Sequence, residues 1–178
     1  MTTSTQTTLA PGSWALDTAH SAVNFTVRHL GISKVRGRFN RFETEFVVDA
    51  SGTAQIAATI HLDSFDTGNP DRDAHARAAD LLDVANRPTL TFKAADVRVA
   101  EDFQVDGEVT LGGITQPVTL DVEWGGRQTA PTGDIHIGFT ATGSIKRTGF
   151  GVATAIPSAM ISDKVAIELD IQLIEPKG

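Results

Sequence analysis

Apolar and polar residues alternate along most of this chain. Over residues 22–29 the odd-numbered positions 23, 25 and 27 are apolar, while the even-numbered positions 24, 26 and 28 are polar. The same alternation recurs over residues 55–63 and 164–173. A period of two places successive side chains on opposite faces of an extended strand, so these segments are predicted to be half-buried strands. Further strands are predicted around Trp14 and over residues 35–48, 90–99 and 135–145.

The segment 103–122 predicts its own pairing. Gly112 and Gly113 are predicted to form a two-residue turn between two alternating runs, which is typical of a β-hairpin. The turn fixes the register and predicts these facing pairs: Leu111 with Ile114, Val105 with Leu120, and Phe103 with Val122. Pro117 has no amide hydrogen to donate, so it favours an edge or a bulge.

Eight or nine strands with short connections predict an all-β fold, specifically a closed antiparallel β-barrel of about eight strands. Residues 71–85 are rich in alanine and carry leucines near helical spacing, which predicts a short helical insert. Residues 1–12 are expected to be a disordered lead-in, and residues 13–178 a single domain.

Small residues on the inward face of several strands favour a hollow barrel. These residues are Gly37, Ala58, Gly107, Ala141 and Gly143. Any one glycine is explained equally well by a bend or bulge in the sheet, but the set together favours a cavity. The side chains expected to line it are Val23, Phe25, Val27, His29, Phe39, Phe92 and Phe139. An almost purely apolar lining suits a long apolar ligand.

The chain has a net charge of −7, yet it contains a basic stripe. No acidic residue occurs between Thr18 and Phe42, where Arg28, Lys34, Arg36, Arg38 and Arg41 supply five of the fifteen basic groups. The overall acidity argues against nucleic-acid binding. Three uses of the stripe remain open: a solvated face paired with neighbouring acids, a rim that holds a phosphate or carboxylate, or a transient contact with an anionic membrane surface.

The sequence offers little support for catalysis or metal binding. Asp17, His20 and Ser21 are the residue types of a catalytic triad, but adjacent residues at a strand entry point apart, and a turn explains them better. The five histidines lack zinc-motif spacing, and there is no cysteine, so we expect no metal and no cofactor. The N-terminus has no apolar signal-peptide core, so a cytoplasmic protein is expected.

Four segments together resemble the YceI-like family. They read LDTAHSAVNFTVRHLGISKVRGRFNRF, DTGNPDRDAHARAADLLDVANRPTLTF, VDGEVTLGGITQPVTLDV and SDKVAIELDIQL, and the resemblance runs from about Trp14 to Ile174. It implies a lipocalin-like barrel that binds a polyisoprenoid or a similar long-chain amphiphile, and it implies a homodimer.

The resemblance also assigns two motifs. The Asp-x-x-His-Ser motif falls on Asp17, His20 and Ser21, and the Arg-Asp-x-His motif falls on Arg72, Asp73 and His75. This chain departs from the family pattern at Ala76, where leucine is usual, and at Leu81 and Leu82, which replace an aromatic pair. These differences are expected to change the shape of the cavity near one end.

The leading hypothesis is a non-enzymatic protein that carries or sequesters a polyisoprenoid or fatty-acyl lipid in the barrel. Candidate contacts for the lipid headgroup are His29, Arg36, Arg38, Arg72 and His75. One alternative is an enzyme that acts on such a lipid, an isomerase or hydrolase with His29 or His75 as acid or base. The other is a stress-related structural protein with a packed barrel.

Overall fold

The computed structural model describes residues 8–177, and strands dominate it. The strands are β1 (Gly12–Leu16), β2 (Ala22–His29), β3 (Ser33–Phe39), β4 (Phe42–Val48), β5 (Thr53–His61), β6 (Phe65–Asp66), β7 (Thr89–Arg98), β8 (Asp102–Leu111), β9 (Ile114–Thr129), β10 (Ile135–Lys146) and β11 (Lys164–Ile174). One α-helix, α1 (Pro70–Ala76), lies between β6 and β7. No helix within residues 8–177 is long and apolar enough to cross a membrane.

Eight strands close into an antiparallel ring. Their order is β1-β4-β5-β7-β8-β9-β10-β11, and β1 pairs with β11 to complete the circle. The remaining strands continue the sheet from β11 and form part of the barrel wall: β2 pairs with β11, β3 with β2, and the short β6 with β3. This arrangement confirms the prediction of an all-β barrel of about eight strands with a short helical insert.

The β8–β9 hairpin has the predicted register. Leu111 faces Ile114, Val105 faces Leu120 and Phe103 faces Val122. Gly112 and Gly113 both have positive φ values, +59° and +79°, which a two-residue hairpin turn of this type requires and which glycine adopts without strain.

Aromatic side chains fill one end of the barrel, which we call the packed end. The ring of Phe139 lies 5.3 Å from that of Trp124, 6.2 Å from Phe103 and 6.3 Å from Phe46, measured between centroids. Trp14 of β1 is only 1% exposed in the same core. Burial of large aromatic rings contributes strongly to stability, so this end is expected to be the firm part of the fold.

The predicted disordered lead-in extends too far towards the domain. Residues 1–7 lie outside the described residues, but Leu9 is 2% exposed in the core and β1 already begins at Gly12. The carbonyl of Ala10 accepts a hydrogen bond from the indole Nε1 of Trp14 at 3.0 Å. The apolar side chain of Leu9 therefore anchors a segment whose polar neighbours suggested disorder.

The helical insert exists, but the predicted extent of 71–85 is wrong. Asn69 caps α1 by accepting a hydrogen bond from the Arg72 amide, and the helix ends at Ala76. Residues 77–88 then form successive turns, with Asp83 at a φ of +53°. The helix does not continue through this segment, because the chain turns here and places Leu81 and Leu82 against the barrel interior.

A second turn-rich segment, residues 147–163, lies over the same end of the barrel. It is organised by Arg147, which is 5% exposed. All five N–H groups of its guanidinium donate hydrogen bonds to backbone carbonyls, at 2.6–3.2 Å, and the acceptors are those of Val152, Ala153, Ile156, Ile161 and Ser162. A buried guanidinium is costly to desolvate, and full satisfaction of its donors offsets that cost.

Arg87 joins the two turn-rich segments. Its Nε and one terminal nitrogen donate to the carbonyls of Leu82 and Leu81, and the other terminal nitrogen donates to those of Phe150 and Gly151. Residues 77–88 and 147–163 therefore behave as one unit, which we call the cover.

We predict that Arg147→Lys strongly destabilises the protein. Lysine offers three donors on a flexible stem, so several buried carbonyls lose their charged partner, and the expected loss is about 3 kcal/mol in the free energy of unfolding. Urea unfolding measures this directly. The control is Arg98→Lys, an exposed position at the end of β7, where a change below about 0.5 kcal/mol is expected. Equal stability of the two variants would contradict the role given to Arg147.

Candidate functional site

The interior between the packed end and the cover is hollow. A cavity of about 280 Å³ is lined by almost purely apolar side chains from the barrel strands and from the cover. Its lining includes five of the predicted residues: Val23, Phe25, Val27, Phe39 and Phe92. Leu81 and Leu82, which depart from the family pattern, also line it.

The inward glycines make room for aromatic rings. A Cβ atom at Gly37 would overlap the ring of Phe25 on the neighbouring strand, and one at Gly107 would overlap the ring of Phe92. The expectation that the space beside these glycines is empty is wrong, because the rings of Phe25 and Phe92 occupy it. The rings lie against the wall instead of projecting across the barrel, and the centre stays open.

Two of the predicted lining residues lie elsewhere. His29 is exposed at the end of β2, and its backbone forms an isolated bridge with Ile161. Phe139 is 9% exposed and belongs to the packed end, below the cavity. Both have the predicted strand parity, but parity fixes the face of a sheet and not the height along the barrel.

The structure does not gather the candidate headgroup residues around the cavity. Arg36 and Arg38 are exposed on the outer face of β3, and the Nε of Arg38 lies 3.8 Å from a carboxylate oxygen of Asp66. Arg72 donates hydrogen bonds to the hydroxyl and the carbonyl of Thr67. His75 lies 3.5 Å from Asp80 with 67% of its side chain exposed. With His29 also exposed, none of the five lines the cavity.

Three polar residues line the cavity among the described residues: Asn24, Thr44 and Arg147. Asn24 has the strand parity of the outer face, so its side chain is not expected to project into the cavity. The donors of Arg147 are fully used by the cover, as described above. The hydroxyl of Thr44 is different, because it is buried and has no hydrogen-bond partner within residues 8–177. Thr44 lies on β4 between the inward residues Phe42 and Phe46, and Phe46 belongs to the packed end. The unsatisfied hydroxyl therefore lies near the floor of the cavity.

Sequence reasoning missed Thr44, although a signal was present. It alternates with Glu43 and Glu45, which places it on the inward face of a strand whose other inward residues are apolar. A polar residue at an inward position is the informative exception in such a pattern.

The Asp17–Ser21 motif forms a polar junction at the packed end and not a catalytic triad. The Nδ1 of His20 lies 2.8 Å from a carboxylate oxygen of Asp17, and this bond lowers the pKa of Asp17. Ser21 instead accepts a hydrogen bond from the backbone amide of Gln172 at 3.0 Å. His136 lies 3.7 Å from the same Asp17 oxygen. Ser21 therefore bonds to the β11 backbone while His20 bonds to Asp17, so the three side chains are not linked as a triad.

Within residues 8–177, no group of three or more histidine, aspartate or glutamate side chains is arranged to hold a metal ion. The two histidines proposed as acid or base in the enzyme alternative, His29 and His75, are both exposed outside the cavity.

Comparison with known proteins agrees with this architecture. A family model described as the YceI-like domain matches residues 14–173. The protein YceI of Escherichia coli O17:K52:H18 is 35% identical over 161 residues, which cover 89% of this chain and 83% of that protein.

Solved structures show the same fold. The YceI protein of Campylobacter jejuni has a TM-score of 0.73 and 28% sequence identity, covering 84% of this chain and 90% of that one. A polyisoprenoid binding domain from Saccharophagus degradans has a TM-score of 0.67 and 19% identity, covering 94% of this chain and 100% of that one, a likeness that shows the fold alone. The match over residues 14–173, the E. coli relative and the four sequence segments agree, and the chain belongs to the YceI-like family.

Proposed function

We propose that the protein binds the apolar chain of a polyisoprenoid or fatty-acyl amphiphile inside the barrel and carries or sequesters it. The observation that carries this proposal is the cavity of about 280 Å³, whose lining residues are all apolar apart from three. Burial of apolar surface drives binding of such a chain without any charged contact. The ligand named for the Saccharophagus degradans domain, a polyisoprenoid, supports the same ligand class.

The cavity volume limits how a long ligand is held. About 280 Å³ lies at the lower end of the range for small-molecule pockets, which is roughly 300–1,000 Å³. A short prenyl or acyl chain fits entirely, whereas a long polyisoprenoid places one segment inside and extends the remainder past the cover.

Thr44 gives the bound chain an orientation. A buried hydroxyl without a partner costs free energy, and a ligand hydroxyl or carboxyl that reaches it recovers that cost. Because Thr44 lies near the floor, we propose that short amphiphiles enter with their polar end first. This replaces the expectation that arginines at the rim hold the headgroup.

The alternatives have less support. An enzyme that acts on the lipid needs a titratable group at the ligand, but His29 and His75 do not line the cavity. The alternative of a structural protein with a fully packed barrel fits only the packed end, because the half of the barrel under the cover is hollow. The homodimer and the cytoplasmic location stay predictions.

One prediction of this proposal is that filling the cavity strongly weakens ligand binding. Ala58 lines the cavity, so Ala58→Phe places a ring where the ligand lies. If the new ring excludes two methylene groups of the ligand from the cavity, binding loses about 1.6 kcal/mol. The affinity for farnesol should therefore fall by more than about ten-fold. Displacement of a fluorescent apolar probe measures the affinity.

The matched control is Ala57→Phe, the neighbouring residue on the outer face of β5, which should bind farnesol as the unmodified protein does. Native mass spectrometry of the purified protein adds a direct test, because a co-purified lipid should be released by organic solvent. A protein that is purified empty and refuses all prenyl and acyl lipids would rule out the proposal.

A second prediction separates the polar contact from the apolar one. Thr44→Val keeps the shape of the side chain and removes a buried hydroxyl that has no partner, so the fold should be as stable or more stable by about 1 kcal/mol. The affinity for farnesol should fall about five-fold, the equivalent of one neutral hydrogen bond, while that for the parent hydrocarbon farnesene stays unchanged. An equal loss for both ligands would show that the hydroxyl does not meet the polar end.

A further inference from the structure

Three large apolar side chains are exposed at one edge of the cover, two from the neighbouring β2–β3 turn and one from the cover itself. Leu30 is 51% exposed, Ile32 is 82% exposed and Met160 is 48% exposed. Leu30 and Ile32 form the turn between β2 and β3, and the amide of Leu30 donates a hydrogen bond to the carbonyl of Met160 at 2.9 Å. We call these three residues the apolar tip.

The backbone conformation of Leu30 is unfavourable for leucine and reduces the stability of the fold. Leu30 has a φ of +54°, in the left-handed region that side chains larger than those of glycine and asparagine seldom adopt. A leucine that is held in that conformation and is 51% exposed gains little from burial to offset the strain. Local strain of this kind points to a role outside folding.

Four cations lie in a row near the tip, on the outer face of the adjacent ends of β10, β11, β2 and β3. In the strand register, Arg28 of β2 lies opposite Lys34 of β3, and Lys146 of β10 lies opposite Lys164 of β11. Ser162 joins the two pairs, because its amide donates to the Arg28 carbonyl and its hydroxyl accepts from the Arg28 amide. We call these four residues the basic collar.

The collar cations are free of ion pairs with other residues of the described chain, 8–177. The other end of the basic stripe differs, since Arg38 and Arg41 pair with Asp66 and Asp63. Asp163 is the acid next to the collar in sequence, and it accepts hydrogen bonds from the amide and hydroxyl of Thr148. These bonds, and the nearby charges of Arg147 and of Lys146 in the collar, lower the pKa of Asp163, so one acid faces four cations. In a chain of net charge −7, the collar is therefore a local positive surface.

This surface adjoins the cavity. Ile161, the residue after Met160, lines the cavity, and so do Val27 and Val165, the neighbours of Arg28 and Lys164. Inward apolar residues and outward cations thus alternate on the same strand ends. The apolar tip extends from the part of the barrel where the cover closes the cavity.

We propose that the apolar tip and the basic collar dock the protein onto a bilayer surface that contains anionic lipids. The tip side chains insert at the boundary between headgroups and acyl chains, and the collar lies over the anionic headgroups. Charge complementarity favours this occupant over a second copy of this acidic chain. The inference rests on the proposed function in one respect: docking brings the cavity to the membrane from which a lipid is taken or to which it is delivered.

Flotation of the full chain with vesicles tests the proposal. Vesicles with about a third phosphatidylglycerol in phosphatidylcholine should bind the protein, and pure phosphatidylcholine vesicles should not. Salt should release it, since screening weakens surface electrostatics. Replacing two collar cations, as in K34Q/K164Q, should weaken binding about 25-fold, or about five-fold per cation.

The tip variant is L30N/I32S. Asparagine tolerates the left-handed conformation, so this variant should fold as well as the unmodified chain and still lose vesicle binding. Matched controls lie at the packed end: Val47→Ser removes an exposed valine, 44% exposed, and Arg98→Gln removes an exposed cation. Both controls should keep full binding.

The outcomes separate docking from ligand uptake. Tip and collar variants should still bind farnesol from solution, while Ala58→Phe should still bind anionic vesicles. Absence of vesicle binding by the unmodified chain, or equal binding by the tip, collar and control variants, would overturn the docking proposal whatever the farnesol result. A shift from dimer to monomer in the tip variant, measured by light scattering and without vesicle binding, would assign the surface to a second copy instead.

Discussion

Pairing of β1 with two strands at once is the interaction on which the barrel depends. Gly12–Trp14 pair with β4, and Ala15 and Leu16 pair with β11, so a five-residue strand closes a ring that would otherwise have two open edges. Trp14 fixes this strand by burial in the packed end. Because stability is concentrated there, the opposite half can remain hollow and apolar without collapse of the fold.

The elements that could be predicted from sequence are those governed by local rules. The β8–β9 hairpin follows from alternation on both sides of Gly112 and Gly113, which fix its register. The extent of the helical insert could not be predicted, because Arg87 holds residues 81 and 82 through contacts with carbonyls 63 and 64 positions away. Similarly, alternation placed His29 and Phe139 on the inward face, but their height depends on how far each strand runs along the barrel.

The apolar character of the cavity could be predicted from the sequence, whereas its polar contacts could not. Its apolar lining follows from strand parity, and Phe25, Phe39 and Phe92 all contribute to it. The basic residues were expected to meet the ligand, yet arginines on the outer face of β3 cannot reach an interior enclosed by their own strand. Arg147 is buried, and nothing in its neighbouring residues distinguishes it from a surface arginine. Arg147 is surrounded by the backbone carbonyls of residues 152–162, which follow it in the chain.

The way the cover is held has a consequence for how such a protein changes over time. Arg147 and Arg87 bind carbonyl oxygens, which every amino acid supplies, so the cover backbone is maintained regardless of most side chains it carries. Residues such as Leu81, Leu82 and Val152 can therefore be exchanged while the scaffold persists. Mutational drift in these positions changes the shape of the cavity without unfolding the protein, so the two arginines let the interior vary while the fold is kept.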